Sequence, residues 1–165
     1  MFSLKILDLK TFMSNLLVHD MFDSFLLSEL EIVTSNKFKL SGKLYKGFYS
    51  RDEIELLEGR EHSFWKEIKS IAFDIIKGNK LPLSMKIILM LPKASVETIV
   101  EKSNLNIEPS NINGLFLNFK FENDKLICTT GSSLNIFTLD KSLDNLWDEM
   151  TRDFFSKKGI ATEPL

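Results

Sequence analysis

Hydrophobic and polar positions alternate most regularly between Asn113 and Asp140. Leu115, Leu117, Phe119 and Phe121 interleave with Phe116, Asn118, Lys120 and Glu122, the period of two that sends one set of side chains to a buried face. Asn123-Asp124 tolerates the positive φ of a tight turn, and Leu126, Cys128 and Thr130 resume the alternation, as a hairpin requires. Gly131-Ser132-Ser133 reads as a second turn, with Leu134, Ile136, Phe137 and Leu139 as a third strand. This stretch predicts a three-stranded antiparallel meander whose apolar face needs a covering of helices.

The rest of the chain repeats the theme. Phe2, Leu4 and Ile6 predict a short strand, Asp8 stands as a helix cap, and Leu9, Phe12, Met13, Leu16 and Leu17 follow at helical spacing. Strand character returns over 25–34, again at Phe38 and Leu40, and again over Leu44, Tyr45, Phe48 and Tyr49, with turns at Ser35-Asn36 and Ser41-Gly42. In the second half, Met85 to Leu91 is a strand stopped by Pro92, and Ser95 to Asn104 is a helix carrying Val96, Ile99 and Val100 inward. Each half thus reads as strand, helix, three strands, a weak internal duplication in which Gly42 answers Gly131. Between them, Phe64, Trp65, Ile68, Ile71, Ala72, Ile75 and Ile76 mark a strong helix ending at Gly78. A last helix opens near Ser142 and buries Leu143, Leu146, Trp147, Met150, Phe154 and Phe155, and 161–165 reads as a frayed tail.

The fold expected is α+β, in a single domain over 1–165. It comprises a first unit (1–50), a connector helix segment (51–83), a second unit (84–140) and a C-terminal helix (141–158). The strands are expected in two antiparallel sheets or one continuous surface, with helices on the apolar face.

Composition narrows the function classes. The chain has 165 residues, 44% hydrophobic and 27% charged, enough for a core without disulfides or metals. Fourteen Phe against two Trp and two Tyr imply an interior of rings that need no hydrogen-bond partner. A net charge of −2 with both signs interspersed gives no global attraction to nucleic acid or an anionic membrane. The single cysteine, Cys128, falls in an alternating strand, where it reads as a small hydrophobe. The first residues lack a basic region followed by an apolar run, and no apolar run is long enough to cross a bilayer, so a cytoplasmic setting is expected.

Two tandem strand-helix-three-strand units resemble one domain of the DNA sliding clamps, the match running best over Met85 to Asp140 (LFLNFKFENDKLICTTGSSLNIFTL) and more loosely over Phe2 to Ser50. That resemblance implies a ring of six such domains around DNA. The residues depart from it, since phosphate-facing helices must be basic and here Lys10 stands almost alone on the first helix while Lys102 is opposed by Glu97 and Glu101. Nucleic acid is therefore not an expected partner. The whole chain, including LEGREHSFWKEI and NGLFLNFKFENDKLICTTGSSLNIFTLDKSLDNLWDEM, is also similar to a family of small uncharacterised bacterial proteins, which implies no activity.

Candidate chemistry is sparse. His19 and His62 have no carboxylate or thiol at metal-ligand or catalytic spacing, and Thr129-Thr130-Gly131-Ser132-Ser133 lacks the lysine and following helix of a phosphate loop. No cofactor or metal is expected. The densest polar cluster beside aromatics is Glu58-Gly59-Arg60-Glu61-His62-Ser63 before Phe64 and Trp65. Arg60, His62 and Trp65 there form a candidate binding edge, with Arg60 for an anionic group and Trp65 as apolar anchor. The alternative at the same residues is a capped helix start, with Ser63 or Glu61 at the amides and Arg60 paired to Glu58. Functionally the chain reads as a non-enzymatic protein- or peptide-binding or scaffold protein of clamp-like architecture. A small enzyme or small-molecule sensor with a dispersed site is the alternative.

Overall fold

A computed structural model describes residues 1–165. Strand β1 (Ser3–Ile6) leads to helix α1 (Leu9–Leu17), whose cap is Asp8: its Oδ1 accepts the Thr11 N–H at 3.0 Å and its Oδ2 the Thr11 hydroxyl at 2.7 Å. Those bonds hold the Asp8 carboxyl below its usual pKa. Hairpin β2 (Leu26–Val33) and β3 (Lys37–Ser41) follows, then a short helix α2 (Arg51–Leu56) and the long α3 (Trp65–Ile76). The second half runs β4 (Ser84–Met90), α4 (Lys93–Ser103), hairpin β5 (Ile112–Glu122) and β6 (Lys125–Leu134), α5 (Ser142–Lys157) and β7 (Thr162–Pro164). Asn123 and Asp124 both take positive φ, 52° and 59°, the geometry their residue types suit in a two-residue hairpin turn.

The fold is α+β, with all strands in one antiparallel sheet of order β3-β2-β4-β5-β6-β1-β7. Registers align the alternating apolar positions into rows across it: Leu30, Ile87, Phe119, Cys128 and Leu4 form one, and Ile32, Met85, Phe121, Leu126 and Ile6 the next. Both rows are buried, and helical side chains such as Phe12, Leu16, Trp65, Ala72, Trp147 and Phe155 complete the same core. The opposite face carries Glu29, Glu31, Lys86 and Lys120, with Lys86 paired to Glu29 at 3.4 Å. Burial pushes the Cys128 thiol well above its ordinary pKa, so it packs as a hydrophobe.

The clamp-like duplication does not carry through. Each expected meander is a two-stranded hairpin, because both closing strands are missing. After β3 the chain crosses close over β2 at Gly42, where an added Cβ would stand 1.8 Å from the Leu27 carbonyl oxygen. The following residues then pair with the segment before α3, Leu44 N–H to Glu61 O at 2.8 Å and Ser63 N–H to Gly42 O at 2.8 Å, leaving Tyr45 and Phe48 exposed. In the second half, Gly131-Ser132-Ser133 is not a turn but the continuation of β6, paired with Phe116, Leu115 and Gly114. The long β5 needs a partner for its early backbone groups, and that demand outweighs the local turn preference of Gly and Ser. Strand neighbours differ too, since β4 pairs with β5 while β1 pairs with β6 rather than β2. Nor is the tail frayed: β7 pairs with β1, and Leu7 N–H donates to Ala161 O at 3.0 Å.

Helix α5 is held on the sheet by matched polar spacing. Asp144 and Asp148 lie four residues apart on α5, and accept the hydroxyls of Ser132 and Thr130, two apart on β6. Four helical residues rise about 6 Å and two strand residues about 6.8 Å, so both bonds form together when helix and strand run antiparallel. The Thr130–Asp148 bond, 2.5 Å, is buried, and the amino group of Met1 stands 3.3 Å from the other Asp148 oxygen. Trp147 adds an indole N–H donated to Phe116 O at 3.0 Å.

Gly42→Ala is expected to lower stability by about 1–3 kcal/mol, through forced displacement of Leu27. Phe119→Ala should cost about 3–5 kcal/mol through the cavity left in the core, whereas Phe48→Ala at an exposed ring should stay within about 0.5 kcal/mol. Urea unfolding midpoints at constant slope check all three.

Candidate binding groove

Arg60, His62 and Trp65 do not converge on one surface. Trp65 is wholly buried against α1, its indole N–H donated to Leu16 O at 2.7 Å. Arg60 clamps the start of α3: its guanidinium donates to His62 O and Glu67 Oε1, both at 2.8 Å, and lies 4.2 Å from the Phe64 ring centroid. Glu67 also accepts the Phe64 N–H at 3.0 Å, so the helix start is capped at Phe64 by Glu67. Arg60 thus pairs with Glu67, not Glu58. His62 is half-buried, and desolvation lowers its pKa below the ordinary 6.5.

A concavity of about 670 Å³ lies elsewhere, between α4 and α5. Its α5 wall is Leu146, Trp147, Met150 and Phe154, and Leu117, Leu91 and Phe25 extend the apolar lining. On the α4 side stand Ser95, Thr98, Ile99, Lys102 and Ser103. Three of the five α4 side chains are small hydroxyl residues facing large ones on α5, and the space between is left open. The fully buried side chains of α4 are Val96 and Val100, one turn apart, with Ile99 partly buried beside them.

Three of the four hydroxyls in the groove are committed within their own helices. Thr98 donates to Ala94 O at 3.0 Å, Ser103 to Ile99 O at 2.7 Å and Thr151 to Trp147 O at 2.9 Å, each satisfied within its own helix. With their protons so committed, these three can only accept from a ligand, and Ser95 alone keeps a free hydroxyl in the lining. Lys102 is the one charged side chain in the lining, and no carboxylate pairs with it. No three His, Cys, Asp or Glu side chains cluster anywhere in metal-binding geometry, and no buried side-chain polar atom lacks a partner. The site can hold apolar groups and draw an anion to its rim, but it has no acid–base pair.

The sequence carried a faint signal for it. A helix whose inward stripe is only Val96, Ile99 and Val100, flanked by three hydroxyl residues, leaves space beside a helix rich in Leu, Met, Trp and Phe.

A family model matches residues 15–163, which takes in every element from β2 to α5 and most of β7 but leaves out β1 and most of α1. The chain belongs to DUF5721, a family of unknown function. Both sides of the groove fall inside the region that defines the family. No curated protein and no solved structure shows a significant match. No helix is long and apolar enough to cross a membrane.

The titration of His62 should have its midpoint below 6.5 in a pH series of imidazole NMR spectra. Because the folded pKa is depressed, the folded state binds this proton less readily than the unfolded chain. The stability tied to neutral His62 is therefore complete above pH 6.5 and is lost as pH falls through the folded value. His62→Gln should remove that part of the pH dependence.

Proposed function

We propose that this chain is a non-enzymatic binding protein that holds apolar side chains of a protein or peptide partner between α4 and α5. The observation that carries this reading is the largely apolar lining of the groove, three of its four hydroxyls bonded within their own helices, with a single unpaired cation, Lys102. An enzyme site needs converging groups able to take and return a proton, and none stand there. Addition of a peptide strand at a sheet edge is the less favourable mode. Edge strand β3 is five residues long with Lys37 and Lys39 paired to Glu31, and β7 is three residues ending in Pro164.

A small-molecule-sensing role is the second reading, favoured by one observation. The cleft's volume of about 670 Å³ falls within the roughly 300–1,000 Å³ of small-ligand sites, and Lys102 could pair an anionic head. Nucleic acid is not a proposed partner, since α1 offers Lys10 alone and α4 sets Lys93 and Lys102 against Glu97 and Glu101. A cytoplasmic setting suits the reading, with Cys128 buried as a free thiol.

Trp147 in the groove wall supplies the test. In a Trp65→Phe variant it is the only tryptophan, so its emission reports occupancy. Peptides selected from a random helical library should change that emission and bind Leu146→Lys about tenfold or more weakly. Equal binding to Leu146→Lys would overturn the groove as the site. A response to dodecanoate in place of peptides would favour the small-molecule reading. A short duplex should show no salt-dependent association by fluorescence anisotropy.

A further inference from the structure

Resting on the groove reading, we infer that the segment which fills the groove is the Ile136–Leu139 loop of a second copy of this chain. Between β6 and α5, Phe137 is 90% exposed and Leu139 82%, while Ile136 is 44% exposed. Such rings and branched chains are poorly placed in water. The loop itself is well held. Asn135 N–H donates to Asn111 O at 3.0 Å and the Asn135 amide to Ser110 O at 3.1 Å, and at the other end Asp140 Oδ1 accepts from the Ser142 N–H at 2.9 Å and its hydroxyl at 2.6 Å. The apolar side chains are thus presented on a fixed frame, which lowers the ordering cost of docking them.

The charges of loop and groove are complementary. Asp140 closes the loop, is fully exposed and makes no ion pair, and its bonds from Ser142 hold it ionised. Lys102 in the groove lining is likewise unpaired. The loop leads directly into α5, whose second turn carries Leu146 of the groove wall. The loop residues do not line their own groove. A two-fold axis near the start of α5 would therefore seat each loop in the other copy's groove, a closed, self-complementary arrangement.

Sedimentation equilibrium across a concentration series tests this on the full chain, with near-UV circular dichroism to confirm folding. The wild type should be a monomer–dimer mixture shifting to dimer as concentration rises. Phe137→Ser, at an exposed position, should weaken dimerisation about tenfold or more, and so should Leu146→Lys. Asp140→Asn, which keeps an oxygen to accept from Ser142 while removing the charge, and Lys102→Gln should each weaken it, and the two together should weaken it no further than either alone. A wild type that stays monomeric at submillimolar concentration, or a dimer indifferent to Phe137→Ser, would overturn the inference. A monomer whose Trp147 emission still answers selected peptides would sink self-association alone and leave the groove reading standing.

Discussion

The ring of Phe119 is where the two layers of this molecule meet. It sits on β5, the middle strand of seven, and touches Phe12 of α1 at 5.1 Å between centroids, Phe22 of the α1–β2 connection at 5.5 Å and Phe155 of α5 at 6.5 Å. Phe22 extends the contact to Phe25 and Phe154. Tilted and edge-on rings at these distances gain beyond their buried area, and none needs a hydrogen-bond partner. A cluster of this kind joins elements distant in sequence without any polar group to satisfy. It also commits the sheet to one buried face, because the helices that supply the rings all approach from that side.

Around that centre, polar bonds decide where the helices lie. The paired contacts of Asp144 and Asp148 with Ser132 and Thr130 set the register of α5, and the Trp65 indole ties α3 to α1. Helix α4 has no such bond to the sheet. It rests on Val96, Val100 and the partly buried Ile99, and the hydroxyls of Thr98 and Ser103 turn back onto its own carbonyls. The groove is the consequence: one wall is pinned by hydrogen bonds and filled with large side chains, the other is held by three aliphatic ones.

Gly131-Ser132-Ser133 shows why local preference misled. As an isolated triplet it favours a turn, but the unpaired backbone of Asn113 to Phe116 and the carboxylates of α5 both need it extended. Gly42 shows the reverse. It was legible as a break, yet what it allows is a crossing over Leu27, which only the neighbouring strand makes visible. Trp65 belonged to the helical stripe from the outset, and its apparent place in a polar binding edge came from sequence adjacency to Arg60 and His62. Trp65 opens α3 and turns into the core, whereas Arg60 lies in the non-helical segment before it and is spent on bonds to His62 O and Glu67.

By itself the sequence determined the α+β class, the one-sided sheet, the Asn123-Asp124 hairpin, the Asp8 cap and the helices α1, α3 and α5, since each rests on period, residue type and capping chemistry within one short stretch. Tertiary structure alone decided the strand order, the loss of both closing strands, the pairing of β7 with β1 and the groove. Those features depend on which backbone groups find partners, and which side chains face one another, across tens of residues of intervening chain. A gap between two helices is a property of both sides together, and neither α4 nor α5 encodes it alone.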